Sequence, residues 1–132
     1  MRFLFDANTV IALLNDPSGP VARRARQYRP SDIVLSAIVS HELYFGAFKS
    51  RRRDHNLSIV AGLQFEVLSL DQEDARHAGE IRAMLGASGT PIGPYDVLIA
   101  GQARSRDLVL VTRNLREFSR VQDLKVENWE EG

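Results

Sequence analysis

The sequence predicts a single three-layer α/β/α domain built on a central parallel sheet. Short unbroken apolar runs recur at Phe3-Leu4-Phe5, Ile33-Val34-Leu35 and Leu108-Val109-Leu110-Val111, the pattern of strands buried on both faces. Helical periodicity follows each run, and strands alternating with helices imply right-handed βαβ crossovers. The 132 residues contain no repeat, low-complexity stretch or linker, so residues 1–132 form one domain.

Each element has a local reason. After Asp6-Ala7-Asn8, the residues Val10, Leu13 and Leu14 share a helical face, and Asn8 or Thr9 can cap that helix. Asp16-Pro17-Ser18-Gly19-Pro20 makes a turn. Val21, Ala25 and Tyr28 then give a short helix whose other face carries arginines. Strand 33–35 leads to Ser36, which caps a helix running to Lys49, and a further helix spans 54–62. A third strand covers 65–70. Asp71-Gln72-Glu73-Asp74 starts a longer helix with Ala78, Ile81 and Leu85 on one face, ended by the segment 86–89. Pro94 fits a first helical position, so a helix covers 95–104. Strand 108–111, a short helix over 115–118 and a last strand over 124–127 complete the chain.

Composition narrows the function classes. The absence of Cys excludes disulfides, thiolate zinc sites and a cysteine nucleophile. No apolar run approaches the ~20 residues of a bilayer span, and Met1 leads straight into a strand, with no room for a secretion signal. The chain reads as soluble and cytoplasmic. Net charge is zero, but the cations cluster: Arg23, Arg24, Arg26, Arg29, Lys49, Arg51, Arg52 and Arg53 face only Asp32 and Glu42 over the same stretch. Such a patch is a possible polyanion footprint, and Arg grips phosphate with a two-pronged geometry that Lys lacks.

Asp6, Glu42 and Asp96 are the residues that point to chemistry. Asp6 follows the first apolar run, Glu42 lies in the helix after the second, and Asp96 opens a helix after Gly93-Pro94. Thr112-Arg113-Asn114 follows the run at 108–111. In open α/β sheets the ligand crevice lies at the carboxyl ends of the strands. Three carboxylates gathered there repel one another unless a cation neutralises them. Oxygen ligands of this hardness suit Mg²⁺ or Mn²⁺ rather than zinc. Each residue also has a plainer reading. Glu42 shares a face with Ile38, Phe45 and Gly46, where a salt bridge to an arginine would serve. Asp6 can cap its helix, and Asp96 can interact with the helix dipole. Asn8, Thr112 and Asn114 are ordinary turn and cap residues, and Glu117 reads as surface. His41, His55 and His77 lack metal-ligand spacing and take surface or core roles. Trp129, Met84 and most Phe residues read as packing. No GxGxxG or Walker-type loop is present.

Four blocks carry a resemblance: Phe5-Asp6-Ala7-Asn8, Ser40-His41-Glu42-Leu43, the stretch from Ile92-Gly93-Pro94-Tyr95-Asp96 to Ala100, and Val111-Thr112-Arg113-Asn114-Leu115-Arg116-Glu117-Phe118. Together with the ending Val126-Glu127-Asn128-Trp129, they resemble the PIN-domain ribonucleases, and more narrowly the VapC toxins of type II toxin–antitoxin modules. The resemblance implies a Mg²⁺- or Mn²⁺-dependent endoribonuclease that leaves a 5′-phosphate and a 3′-hydroxyl. Asp6, Glu42 and Asp96 would be the metal site, and Asn114 would stand where many members have a fourth acid. Thr112 would position Asn114, Asn8 would support the site, and Arg51, Arg52, Arg53 and Arg113 would contact RNA. The family further implies a tRNA anticodon loop as substrate, with initiator tRNA the first candidate. It also implies a VapB antitoxin, a homodimer and a higher-order complex with antitoxin on operator DNA. The dimer would use exposed apolar and Arg-rich segments at 21–28 and 45–53. Ala7 departs from the family, which often has Thr there. The rival readings are an aspartyl phosphatase, disfavoured because Asn8 replaces the second carboxylate it needs, and a non-catalytic binding module on the same fold.

Overall fold

The computed structural model describes residues 2–130. Five strands form one sheet in the order β3-β2-β1-β4-β5. They are β1 (Phe3–Phe5), β2 (Ile33–Ser36), β3 (Glu66–Leu68), β4 (Val109–Val111) and β5 (Lys125–Glu127). All pairings are parallel, with Phe5 opposite Leu35 on one side and Val111 on the other. Leu4, Phe5, Val34 and Leu110 are fully buried. Their neighbours above and below are the helices α1 (Ala7–Asn15), α2 (Pro20–Ala25), α3 (Ala37–Lys49), α4 (Arg53–Ala61), α5 (Gln72–Ala87), α6 (Pro94–Ser105) and α7 (Leu115–Phe118). The three-layer architecture is the one the sequence predicts. Among the described residues, no helix is long and apolar enough to cross a membrane.

The chain steps outward from β1 to β2 to β3, then returns across the sheet to β4 on the other side of β1. This reversal opens a crevice at the carboxyl ends of β1 and β4. Differences from the sequence expectations are local. The third strand is shorter than 65–70: the chain leaves the sheet after Leu68, and the Ser69 carbonyl accepts from Gln102 and Arg106 instead of a strand. A 3₁₀ turn at Pro30–Asp32 precedes β2 and is absent from the sequence reading. The cap at Ser36 is as expected, and Asp71 caps its helix in the same way, each accepting a backbone N–H. At α1, however, the cap is Asp6 rather than Asn8 or Thr9. The helix already begins at Ala7, which puts Asn8 inside the first turn.

Trp129 seals one flank of the sheet. Its ring stands 4.9 Å from that of Phe3 and 5.2 Å from that of Phe5, and it stacks on Tyr28. The Arg24 guanidinium lies over the indole at 5.2 Å and pairs with Glu127, which also accepts from the indole N–H. Arg23 and Arg26 donate to the carbonyls of Ser18 and Pro17, and Arg29 pairs with Asp32. Much of the basic stretch therefore fastens its own neighbourhood. Segment 21–28 is not an exposed apolar surface either, because Val21 and Ala22 lie in the core; the apolar exposure falls on Phe45 and Phe48.

Two features lock α5 to α6. Gly101 approaches the α5 backbone so closely that a Cβ there would stand 2.6 Å from Ala78 N and 2.7 Å from Ala78 Cα. Gly101→Ala must push the helices apart, and should lower stability by ~1–3 kcal/mol, the usual range for overpacking. A fall in the urea midpoint at unchanged slope would confirm this, and an unchanged midpoint would show that the helices separate without strain. The second feature is a polar hub around Asp74, whose side chain is fully buried. It accepts from Arg106, Gln102, Ser105 and the Asp71 N–H. Burial by itself would raise the Asp74 pKa, but these donors together outweigh it and hold the carboxyl far below the usual carboxylate range.

Candidate active site

Asp6 stands at the carboxyl end of β1, where its backbone N–H donates to the Val111 carbonyl of β4 at 3.2 Å. Its Oδ1 accepts from the Thr9 N–H at 2.8 Å and faces the Thr9 hydroxyl at 2.7 Å. That hydroxyl also lies 3.0 Å from the Val111 carbonyl. A hydroxyl carries one proton, so Thr9 serves one acceptor at a time and ties the acid to the β1–β4 seam. Asp6 is thus both a cap and a crevice residue, and Oδ2 has no donor among the described residues.

Glu42 projects from the middle of α3. Its Oε1 is buried with no hydrogen-bond partner, and among the described residues it makes no salt bridge. The structural ion pair considered from sequence is therefore not what holds it. Burial raises the Glu42 pKa most, the negative charges of Asp96 and Asp6 raise it further, and His41 offsets part of this. Asp96 lies in the first turn of α6, whose cap is Gly93, with Pro94 at the first helical position. Its carboxylate leans back over Gly93, where a Cβ would sit 3.4 Å from Oδ2, and it receives no capping bond. Burial again raises its pKa most, followed by Glu117 and then Asp6.

Glu117 is the residue missed from sequence. It is half-buried on α7 and acts on Asp96 more strongly than Asp6 does. The signals available were its place one turn after Asn114, in the helix that follows β4, and its position in the block that carries the family resemblance. Thr112 is buried, and its hydroxyl accepts the Asn114 N–H at 3.0 Å, which holds the start of α7. Asn114 itself is half-buried with no side-chain capping bond, while Asn8 and Arg113 are exposed. Arg51, Arg52 and Arg53 line an open hollow of about 610 Å³ at the α3–α4 connection. By helical rise this connection begins roughly 10 Å along α3 from Glu42, so these cations border the acids rather than join them.

At the strand ends Asp6 and Asp96 thus act on Glu42, and Glu117 and Asp6 act on Asp96. Among the described residues, no three of them close into a ready ligand cage. Mg²⁺ requires no such cage: it keeps several waters and takes one or two protein carboxylates directly. An orphaned buried carboxylate oxygen on Glu42, whose pKa is raised by burial and by the charges of Asp96 and Asp6, fits a hard divalent cation as the missing partner.

The comparisons with known proteins agree with this geometry. The PIN domain matches residues 3–124. The chain is 42% identical to the tRNA(fMet)-specific endonuclease VapC of Salmonella typhimurium over 131 residues, covering 98% of each chain. It superposes with a TM-score of 0.91 on a chain in the crystal structure of DNA-bound VapBC from Salmonella typhimurium, at 42% identity and 98% coverage of both chains. A VapBC-1 structure from nontypeable Haemophilus influenzae gives a TM-score of 0.90 at 33% identity, covering 99% of this chain and 100% of that one. The chain belongs to the PIN-domain family, in its VapC branch.

Proposed function

We propose that this protein is the toxin of a type II toxin–antitoxin module, a Mg²⁺-dependent endoribonuclease that cuts a tRNA anticodon loop. Initiator tRNA is the first candidate, supported by the tRNA(fMet) specificity of the Salmonella relative. The observation that carries the reading is the unpartnered, buried Oε1 of Glu42 amid the charges of Asp96 and Asp6. Asp6, Glu42 and Asp96 would hold the cation, with Mn²⁺ an alternative, and Glu117 would add to the negative field. A bound divalent cation would supply Lewis acidity toward water and toward a phosphate oxygen. The chain's own residues prepare for this. Thr9 fixes the Asp6 carboxylate, α6 presents Asp96 on a rigid first turn, and Thr112 holds Asn114 at the crevice edge. Arg51, Arg52, Arg53 and Arg113 would bind the RNA backbone.

A VapB-type antitoxin is the proposed inhibitor, supported by the VapBC complexes the chain superposes on. An apolar groove of about 500 Å³ between α1, α3 and α4 is lined by Ile11, Leu14, Leu43, Ile59 and, at the acidic cleft, Glu42. An antitoxin segment lying in this groove could place a basic side chain among the carboxylates and compete with metal. A homodimer, and its complex with antitoxin on operator DNA, complete the proposal.

Incubating the purified protein with total RNA and Mg²⁺ tests the catalytic reading. Cleavage should leave 5′-phosphate and 3′-hydroxyl ends, stop with EDTA and return when Mg²⁺ is added in excess. Cleavage that persists in EDTA would remove the metal from the proposal. Release of phosphate from small esters, with RNA left intact, would favour a phosphatase.

A further inference from the structure

We propose that His41 and Tyr95 form a stacking platform that receives an unpaired nucleobase beside the acidic cleft, making both positioning residues for the RNA strand. This rests on the ribonuclease reading above. His41 precedes Glu42 on α3, and Tyr95 precedes Asp96 on α6. Two helices from different parts of the chain thus bring together two aromatic rings, each carried by the residue that precedes an acid. The rings meet with centroids 5.2 Å apart at an angle of 53°. Both side chains are exposed, Tyr95 to 51%, so the pair is not part of the core. Neither ring finds a hydrogen-bond partner among the described residues.

In a tilted aromatic pair one ring offers its edge, leaving its faces free for another π system. Bases stack on such rings with little sequence preference, because every base has a π face. A base within a duplex stays buried in its own stack, whereas loops and bulges present theirs. The platform therefore selects unpaired nucleotides and holds the neighbouring phosphate over Glu42 and Asp96. Recognition of loop structure then follows from two rings, without a base-specific hydrogen bond.

The test uses the full chain and a short mixed-sequence oligoribonucleotide carrying 2-aminopurine at alternate positions. In an Asp96→Asn background, where RNA stays intact, binding should quench the fluorescence of the single strand but not of the same strand annealed to its complement. Tyr95→Leu and His41→Leu should each lose quenching and weaken binding roughly tenfold, the scale of one base–aromatic stack. Tyr95→Phe should restore both. With Asp96 intact, Tyr95→Leu should raise KM roughly tenfold and change kcat less. Undiminished quenching in both leucine variants, a Tyr95→Phe variant as poor as Tyr95→Leu, or equal quenching of the duplex would overturn the platform. Cleavage by the unaltered protein decides the ribonuclease reading separately. RNA cutting with unmoved quenching overturns the platform alone, whereas quenching lost on Tyr95→Leu without any cutting overturns the ribonuclease and supports the platform.

Discussion

If Asp96 helps hold the proposed cation, Asp96→Asn should reduce RNA cleavage by roughly 10²–10³-fold, since a bound cation contributes several kcal/mol of transition-state stabilisation. The fold should survive, because Asp96 makes no capping bond and Gly93 caps the helix. Stability should even rise slightly. Burial, then Glu117 and Asp6, raise the Asp96 pKa in the folded protein. A raised carboxyl pKa gives stability that is full below the unfolded value of ~3.9 and is lost as pH climbs through the folded value. At neutral pH the charge therefore works against folding, and Asn relieves it. Calorimetry and a cleavage assay on the same preparation decide the matter. A variant that unfolds would make Asp96 structural; one that cuts at the original rate would place the chemistry elsewhere.

Asp74→Ala should have the largest effect on stability, a loss of ~3–5 kcal/mol, the cost of stripping one partner from a buried ion pair. Arg106 would lose its buried counter-charge, and Gln102 and Ser105 would lose an acceptor. The pH dependence has the opposite sign to that of Asp96. Although burial favours the neutral form, the donors hold the Asp74 pKa below its unfolded value. Its contribution is therefore present above pH ~4 and lost as pH falls beneath that. Urea titrations at neutral and acidic pH should show the gap between Asp74→Asn and the unaltered protein closing in acid. A gap that stays constant with pH would mean that Asp74 acts through packing rather than charge.

The sheet was legible because strands covered on both faces must be apolar throughout, as Ile33-Val34-Leu35 and Leu108-Val109-Leu110-Val111 are. The edge strand was overextended because Ser69 has no local signal that its carbonyl serves Gln102 and Arg106. Within the crevice, Asp6, Glu42 and Asp96 could be placed from their positions after strands and at a helix start. Glu117 could not, because its influence on Asp96 depends on how α7 packs, not on spacing. Asp74 was equally opaque. An acid in the first turn of a helix is ordinarily solvated, and only the approach of α6 buries this one. Thr9 reads as a cap in sequence, yet its hydroxyl works across the seam to Val111.

Helix α6 is a cantilever. Its rear is clamped twice, by the contact of Gly101 with Ala78 and by the grip of Arg106 on Asp74. Its forward tip carries Asp96 over the crevice, about 15 Å from the Arg106 clamp by helical rise. At that lever length a rotation of ~5° about the clamp would displace the tip carboxylate by roughly 1 Å, and an error of that size can cost an enzyme ~100-fold in rate. If Asp96 acts as proposed, its aim at a phosphate would depend in part on packing at the opposite end of the rod. On the proposed reading, substitutions there would blunt cleavage without touching the site itself, and a survey of inactive variants would find many of them far behind the acids.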